Sequence, residues 1–178
     1  KLATTEQQLK ASLSRGSAAA AKSQALALQQ RRHAEAASTL EEGIAAIFNG
    51  VWVHRYRDPC EPVRVECIRA LGEWMLALPD TFVVNGYLKY MGWLLSDKGA
   101  AVRLRVLQSL QLIYDQQDML MRIEEFTGRF RPAVVRMVFD VDGAASEAAL
   151  RLLRRAWEGG LLDDLKEEER EEVRVWHG

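Results

Sequence analysis

Lys89, Tyr90 and Trp93 fall within a helix predicted over residues 86–95. Lys89 and Trp93 stand four apart and Tyr90 and Trp93 three apart, so the three share one stripe. That stripe lies off the apolar one formed by Tyr87, Met91, Leu94 and Leu95. A Trp and a Tyr flanked by Lys suit an aromatic anchor of a partner peptide: a ring slot with a cation at its rim. Burial of Trp93 against a neighbouring hairpin is the competing reading. Catalytic chemistry finds no comparable grouping. In His54-Arg55-Tyr56-Arg57-Asp58, no Asp directly follows the His-Arg pair, as a kinase catalytic loop requires, and a Gly-rich phosphate loop is missing. His33, His54 and His177 are scattered, and neither cysteine has a His at zinc-finger spacing. The residues therefore predict a non-enzyme with no cofactor, no metal and no small-molecule substrate.

Composition narrows the class. The 178 residues carry 24 Lys plus Arg against 25 Asp plus Glu, a net charge of −1. This excludes a strongly basic nucleic-acid tail but leaves room for a local basic face. A hydrophobic share of 48% excludes wholesale disorder. No run of about 18 apolar residues predicts a membrane span, and no signal-peptide pattern opens the chain. Cys60 and Cys67 are seven apart on one predicted helix, about 10 Å, too far to bridge. They read as reduced thiols of an intracellular protein. A start at Lys1 and an end at Trp176-His177-Gly178 predict a fragment of a longer protein.

Three segments position these residues. Residues 1–48 are rich in Ala and Gln and hold no aromatic before Phe48. They predict one long helix, about 60 Å over 5–48, whose stripe Leu40, Ile44, Ile47 and Phe48 should dock. Residues 49–160 predict packed helices. Asp58 caps the first, Pro59 takes its first position and Glu61 completes a capping box. Val63, Cys67, Ala70, Leu71, Trp74 and Met75 form its inner face. A short helix follows at 80–84, then 86–95. Asp97 caps the next, with Val102, Val106, Leu107, Leu110, Ile113 and Tyr114 inward. Helices over 117–126 and 130–139 are separated by Gly128, and a last one runs from Asp142 to Trp157. Residues 161–178 read as an acidic helix beginning a further repeat; 137–178 hold 11 acids against 6 Lys plus Arg. Period-2 alternation is absent, so the fold class is all-α.

An internal repeat gives the architecture. Asp58, Val63-Arg64 and Ala70-Leu71 return 39 residues later as Asp97, Val102-Arg103 and Ser109-Leu110. Asp140, Ala145 and Leu152-Leu153 make a weaker third copy. A period near 40 predicts a HEAT-type helical solenoid. In each unit the Asp should cap the second helix, the Val point inward and the Arg span to the neighbouring Asp.

Longer motifs carry a family resemblance. Phe48-Asn49-Gly50-Val51-Trp52-Val53-His54-Arg55-Tyr56-Arg57-Asp58 resembles a signature of the stromal antigen (stromalin) proteins, the HEAT-repeat subunits of cohesin. Tyr87-Leu88-Lys89-Tyr90-Met91-Gly92-Trp93, then Asp97-Lys98 and Val102-Arg103-Leu104, resembles a second family motif. Phe126-Thr127-Gly128-Arg129-Phe130 resembles a third. All stand in the family's order, over about residues 44–158, the stromalin conservative domain. The chain departs from the family at Asn49, Asn85-Gly86 and Ala100-Ala101.

The resemblance implies a nuclear, chromatin-bound scaffold of sister chromatid cohesion and chromatin loops. It implies binding to the kleisin subunit, to DNA, and to regulators with acidic motifs containing Phe or Tyr. Positions matching Tyr56, Arg57, Lys89, Tyr90, Trp93, Arg129 and Phe130 line the peptide surface. Trp93 and Phe130 would wall the slot, with Tyr56 beside it and Arg57, Lys89 and Arg129 meeting acidic flanks. Residues 49–136 carry 12 Lys plus Arg against 10 acids, so DNA binding should be weak and salt-sensitive. The alternative is a generic HEAT adaptor, such as a transport receptor or kinase scaffold.

Overall fold

The computed structural model describes the backbone of residues 2–162 and the side chains of residues 20–162. All regular elements among the described residues are helical. The chain divides into two compact units, residues 1–50 and 51–178.

The first unit is dominated by α1, Leu2–Ile47. At 1.5 Å per residue it is about 70 Å long. It runs through Gly16 and Gly43, each of which costs about 1 kcal/mol relative to Ala, because the surrounding Ala, Leu, Gln and Lys favour helix. The expected docking stripe is mostly not buried: Leu40 and Ile47 are exposed, Ile44 is half-buried, and Phe48 alone is buried. A π-helical turn, Phe48–Trp52, follows.

The second unit contains α2 (Val53–Arg55), α3 (Glu61–Ala77), α4 (Pro79–Phe82), α5 (Asn85–Leu94), α6 (Ala100–Tyr114), a 3-10 turn (Gln117–Met119), α7 (Leu120–Met137) and α8 (Gly143–Glu158). α3 packs on α6 and α6 on α8, while α5 packs on α7. α5 also packs on α6, and α7 on α8. The helices thus form two layers of hairpins, a helical repeat solenoid. Leu71, Met75, Val106, Leu107, Leu110, Ile113 and Ala149 are wholly buried within the inner row.

Local details differ from the sequence expectations. α3 begins at Glu61 with Pro62 in its first turn, so Pro59 precedes the helix and no capping box forms. Its buried face is turned by about one residue, carrying Arg64, Cys67, Ile68, Leu71, Gly72 and Met75; Val63, Ala70 and Trp74 are half-buried. α7 is unbroken at Gly128. Pro132 leaves one carbonyl four residues back without its usual donor, and that residue is Gly128. Burial of Ile123, Phe126, Thr127, Val134 and Met137 along one face holds the helix through both residues. The acidic helix expected at 161–178 lies outside the described residues from 163 onward.

The repeat's Asp and Arg residues make a connected ladder. Asp58 accepts from the Cys60 backbone N–H at 2.8 Å, Asp97 from Gly99 at 2.7 Å and Asp140 from Asp142 at 2.9 Å. Asp58 and Asp97 therefore close Asx turns two residues ahead of the helix caps, Cys60 and Gly99, rather than capping the helices themselves. Asp142 is a true cap, accepting from Ala145 N–H at 2.9 Å. The expected Arg span is present. Arg64 donates to both carboxylate oxygens of Asp97, at 2.9 and 2.7 Å, and to the Asp58 carbonyl at 2.8 Å. Arg103 repeats this, to Asp140 at 2.7 and 2.6 Å and to the Asp97 carbonyl at 2.8 Å. Hydrogen bonding to Asp97 raises the Arg64 pKa, and the same bond to Arg103 lowers that of Asp140. In the third copy the Arg position is Ser146, whose hydroxyl donates to the Val138 carbonyl, so the ladder stops there.

Candidate functional site

The π-helical turn and α2 deliver Trp52 and Tyr56 one turn apart, and α5 delivers Tyr90 and Trp93. Trp52 and Tyr56 stack in parallel, centroids 5.2 Å apart. The Tyr90 ring meets both edge-on at 5.0 Å, and Trp93 meets Tyr90 edge-on at 5.3 Å. The indole N–H of Trp52 donates to the Cys67 carbonyl at 2.7 Å, tying the cluster to α3. Trp52 and Tyr56 are buried and form its floor. Trp93 is 42% exposed, so burial against a neighbouring hairpin is not its role.

Beside this cluster opens a cleft of about 360 Å³, a volume suited to a ligand group. Tyr56, Pro59 and Trp93 give it apolar walls. Arg57 and Lys98 line it as exposed cations, and Ser96 adds a hydroxyl. Arg64 and Asp97 reach it too, but they neutralise each other within the ladder. The Arg57 guanidinium lies 5.1 Å from the Tyr56 ring centre. The Lys89 ammonium lies 5.2 Å from Tyr90 and 5.6 Å from Trp93. Arg129 lies 5.4 Å from Phe130. Among the described residues, no carboxylate pairs with Arg57, Lys89 or Arg129. These cations rest on aromatic faces, where a cation stays available to an incoming acid.

The seven residues singled out from sequence thus fall into two groups. Tyr56, Arg57, Lys89, Tyr90 and Trp93 form one continuous cluster. Arg129 and Phe130 belong to α7, where Phe130 packs at 4.9 Å on Phe126 and borders a small apolar hollow near Leu152 and Leu153. Gly92 connects the groups. A Cβ on Gly92 would lie 2.2 Å from the Phe130 ring, so that ring lies directly on the α5 backbone next to Trp93. Only glycine permits this approach. Trp52, Lys98 and Gly92 were not singled out. Lys98 follows the Asp of the second repeat as Pro59 follows that of the first, a signal the repeat already contained.

Comparison with known proteins follows the same residues. Residues 57–131 match the family model described as the stromalin conservative domain. The Arabidopsis thaliana "Sister-chromatid cohesion protein 3" is 39% identical over 130 residues, 73% of this chain and 12% of that protein. The Mus musculus "Cohesin subunit SA-3" is 42% identical over 114 residues, 64% of this chain and 9% of that protein. The solved structure of "Cohesin subunit Scc3 from Z. rouxii, 88-1035" matches with a TM-score of 0.62 and 30% identity, covering 72% of this chain and 14% of that one. The chain spans only 9% to 13% of the length of such curated relatives. Shared fold, matched domain and overall sequence identity together make the chain a member of the stromalin family.

Proposed function

We propose that this chain is the stromalin conservative domain of a cohesin accessory subunit, a nuclear scaffold rather than an enzyme. Its relatives carry the names of cohesin subunits and of a sister-chromatid cohesion protein. In this reading it binds the kleisin, takes regulator peptides with an acidic Phe or Tyr motif into the cleft, and touches DNA weakly.

One observation carries the peptide part: Trp93 stays 42% exposed at the cleft, above a buried aromatic floor and beside cations that have no carboxylate partner among the described residues. An aromatic anchor gains stacking partners there, and its acidic neighbours meet Arg57, Lys89 and Lys98. Arg129 and Phe130 extend the surface across Gly92. The test has two arms. Pull-down with a kleisin fragment should succeed, and titration of an acidic Phe-containing peptide should show saturable binding that Trp93→Ala weakens roughly 30-fold. Failure of the pull-down would favour a generic helical adaptor; peptide binding indifferent to Trp93 would remove the cleft from the function. For DNA, the small basic excess of residues 49–136 supports weak binding, with about 0.9 logarithmic units of salt slope per phosphate contact.

A further inference from the structure

Arginine and lysine are not distributed alike. Residues 49–162 contain 13 arginines but only two lysines, Lys89 and Lys98. Eight of those arginines hold carboxylates in ion pairs, the two ladder rungs among them. Neither lysine pairs with a carboxylate among the described residues. Both belong to the candidate site instead: Lys89 rests on the Tyr90 and Trp93 rings, and Lys98 lines the cleft. The difference is chemical. A guanidinium is a planar fork that stays charged, whereas an ε-ammonium is a point charge that acylation removes. The cations that hold the framework are of the permanent kind. Over this stretch, the erasable kind stands only at the site.

Lys98 is the more accessible of the two. It is the middle residue of the second Asx turn, closed by the Gly99 N–H on the Asp97 carboxylate at 2.7 Å. The turn draws the Asp97 side chain inward, to 9% exposure, and leaves Lys98 exposed. The four-carbon stem carries the amine away from the backbone, so an enzyme can reach it without unfolding the hairpin. Lys89 is half-buried, its ammonium held over two rings. Five charged residues line the cleft: Arg57, Asp58, Arg64, Asp97 and Lys98. Asp58 pairs with Arg55 and Asp97 with Arg64. Arg57 and Lys98 remain as two free positive charges.

We propose that Lys98 is an acetylation site, and that its modification lowers the affinity of the cleft for acidic peptide by erasing one of these two charges. This rests on the cleft reading given above. The acyl donor is acetyl-coenzyme A, delivered by a lysine acetyltransferase. The Lys98 ammonium gives one proton to a base of that enzyme, and the amine nitrogen attacks the thioester carbonyl. The N–C bond forms as the C–S bond breaks, and the second proton leaves with the departing sulfur as coenzyme A thiol. The product is a neutral amide beside Arg57, which is then the one free cation of the cleft lining.

The test uses the full chain in two experiments. In the first, the chain is incubated with acetyl-coenzyme A and a broad-specificity nuclear lysine acetyltransferase, with a histone tail as control substrate. Peptide mass spectrometry should find Lys98 acetylated several-fold more than Lys89. Acetylation of the control tail with Lys98 left unmodified, or with Lys89 preferred, overturns the inference. In the second, acetyl-lysine is installed at position 98 by codon suppression. The modified and unmodified chains are titrated with a fluorescein-labelled Glu-rich peptide bearing one Phe, and with the same peptide carrying Gln in place of each Glu. The Glu-rich peptide should bind the modified chain about two- to fivefold more weakly, the range of a rim ion pair, and the Gln peptide should bind both chains alike. No loss for the Glu-rich peptide, or an equal loss for both peptides, overturns the inference and leaves the cleft reading intact. Failure of the Glu-rich peptide to bind the unmodified chain overturns the cleft reading and this inference with it.

Discussion

Arg64 and Arg57 are seven residues apart and both reach the cleft, yet they have opposite surroundings. Arg64 is 3% exposed, bidentate to Asp97 and bonded to the Asp58 carbonyl. Arg57 is exposed and rests on the Tyr56 ring. The same division separates Asp97, Arg103 and Asp140 in the ladder from Lys89, Lys98 and Trp93 around the cleft. The ladder satisfies its charges internally, so its residues hold the hairpins in register. The cleft leaves cations and a large ring for something else to complete. Residue type does not decide which role a charge takes; the presence of a partner one repeat away does.

The comparison breaks most sharply at the ladder. Arg64→Ala leaves the buried Asp97 carboxylate without its guanidinium, and losing one partner of a buried pair costs about 3–5 kcal/mol. Chemical denaturation of the chain should show a loss of that size. Arg57→Ala in the same assay should change stability by less than about 0.5 kcal/mol. Similar losses for both would mean that the two arginines are not differently employed.

Acid offers a second handle on the ladder. The bonds from Arg103 hold the Asp140 carboxyl below its usual range in the folded state. A depressed folded pKa stabilises the fold above the unfolded carboxylate value, about 4, and that contribution is lost as pH falls further. Stability measured from pH 6 downward should therefore drop below about pH 4. Asp140→Asn should be less stable at neutral pH and show a shallower acid decline.

The cleft side is sharpened by Trp93→Ala. An aromatic anchor site is worth about 2 kcal/mol or more, so peptide affinity should fall roughly 30-fold. The melting temperature should stay nearly unchanged, because the ring is already 42% exposed. A large loss of stability instead would assign Trp93 to the core. Gly92→Ala should act more indirectly. Its Cβ would displace the Phe130 ring, which lies 2.2 Å from that position. If Phe130 forms part of the peptide surface, affinity should fall several-fold, and Phe130→Ala should make the further Gly92→Ala change nearly silent.

How much of this was legible in the sequence follows the same division. The 39-residue repeat announced the hairpins and the Arg span, because a ladder writes both partners at a fixed offset. The aromatic cluster was legible from i, i+3 and i, i+4 spacing on α5 together with the family motifs. The caps of α3 and α6 were not, although Asp142 was, because Asx turns and helix caps use the same residue types and differ by two positions. Nor was the continuity of α7, where tertiary burial overrides Gly128 and Pro132. The exposure of Leu40 and Ile47 shows the limit of periodicity: it identifies a face but not what covers it. Gly92 was invisible for a related reason, since its role depends on a ring 38 residues away.

Lys89→Ala should have the smallest effect and tests the comparison at its finest. The Lys89 ammonium lies over two rings and makes no ion pair among the described residues. Removing it deletes a cation–aromatic contact of about 0.5–1 kcal/mol at an exposed site and one rim charge for the peptide. Affinity for an acidic Phe peptide should fall about two- to fivefold, within the range of a rim ion pair. The loss should shrink as salt rises, because a rim charge is screened within about 10 Å at 0.1 M. The Trp93→Ala loss should persist at the same salt, since ring burial is not screened. Titrations of both variants at low and high salt therefore separate the two contributions. If the Lys89 deficit stays constant with salt, Lys89 acts by holding the Tyr90 and Trp93 rings rather than by meeting an acid.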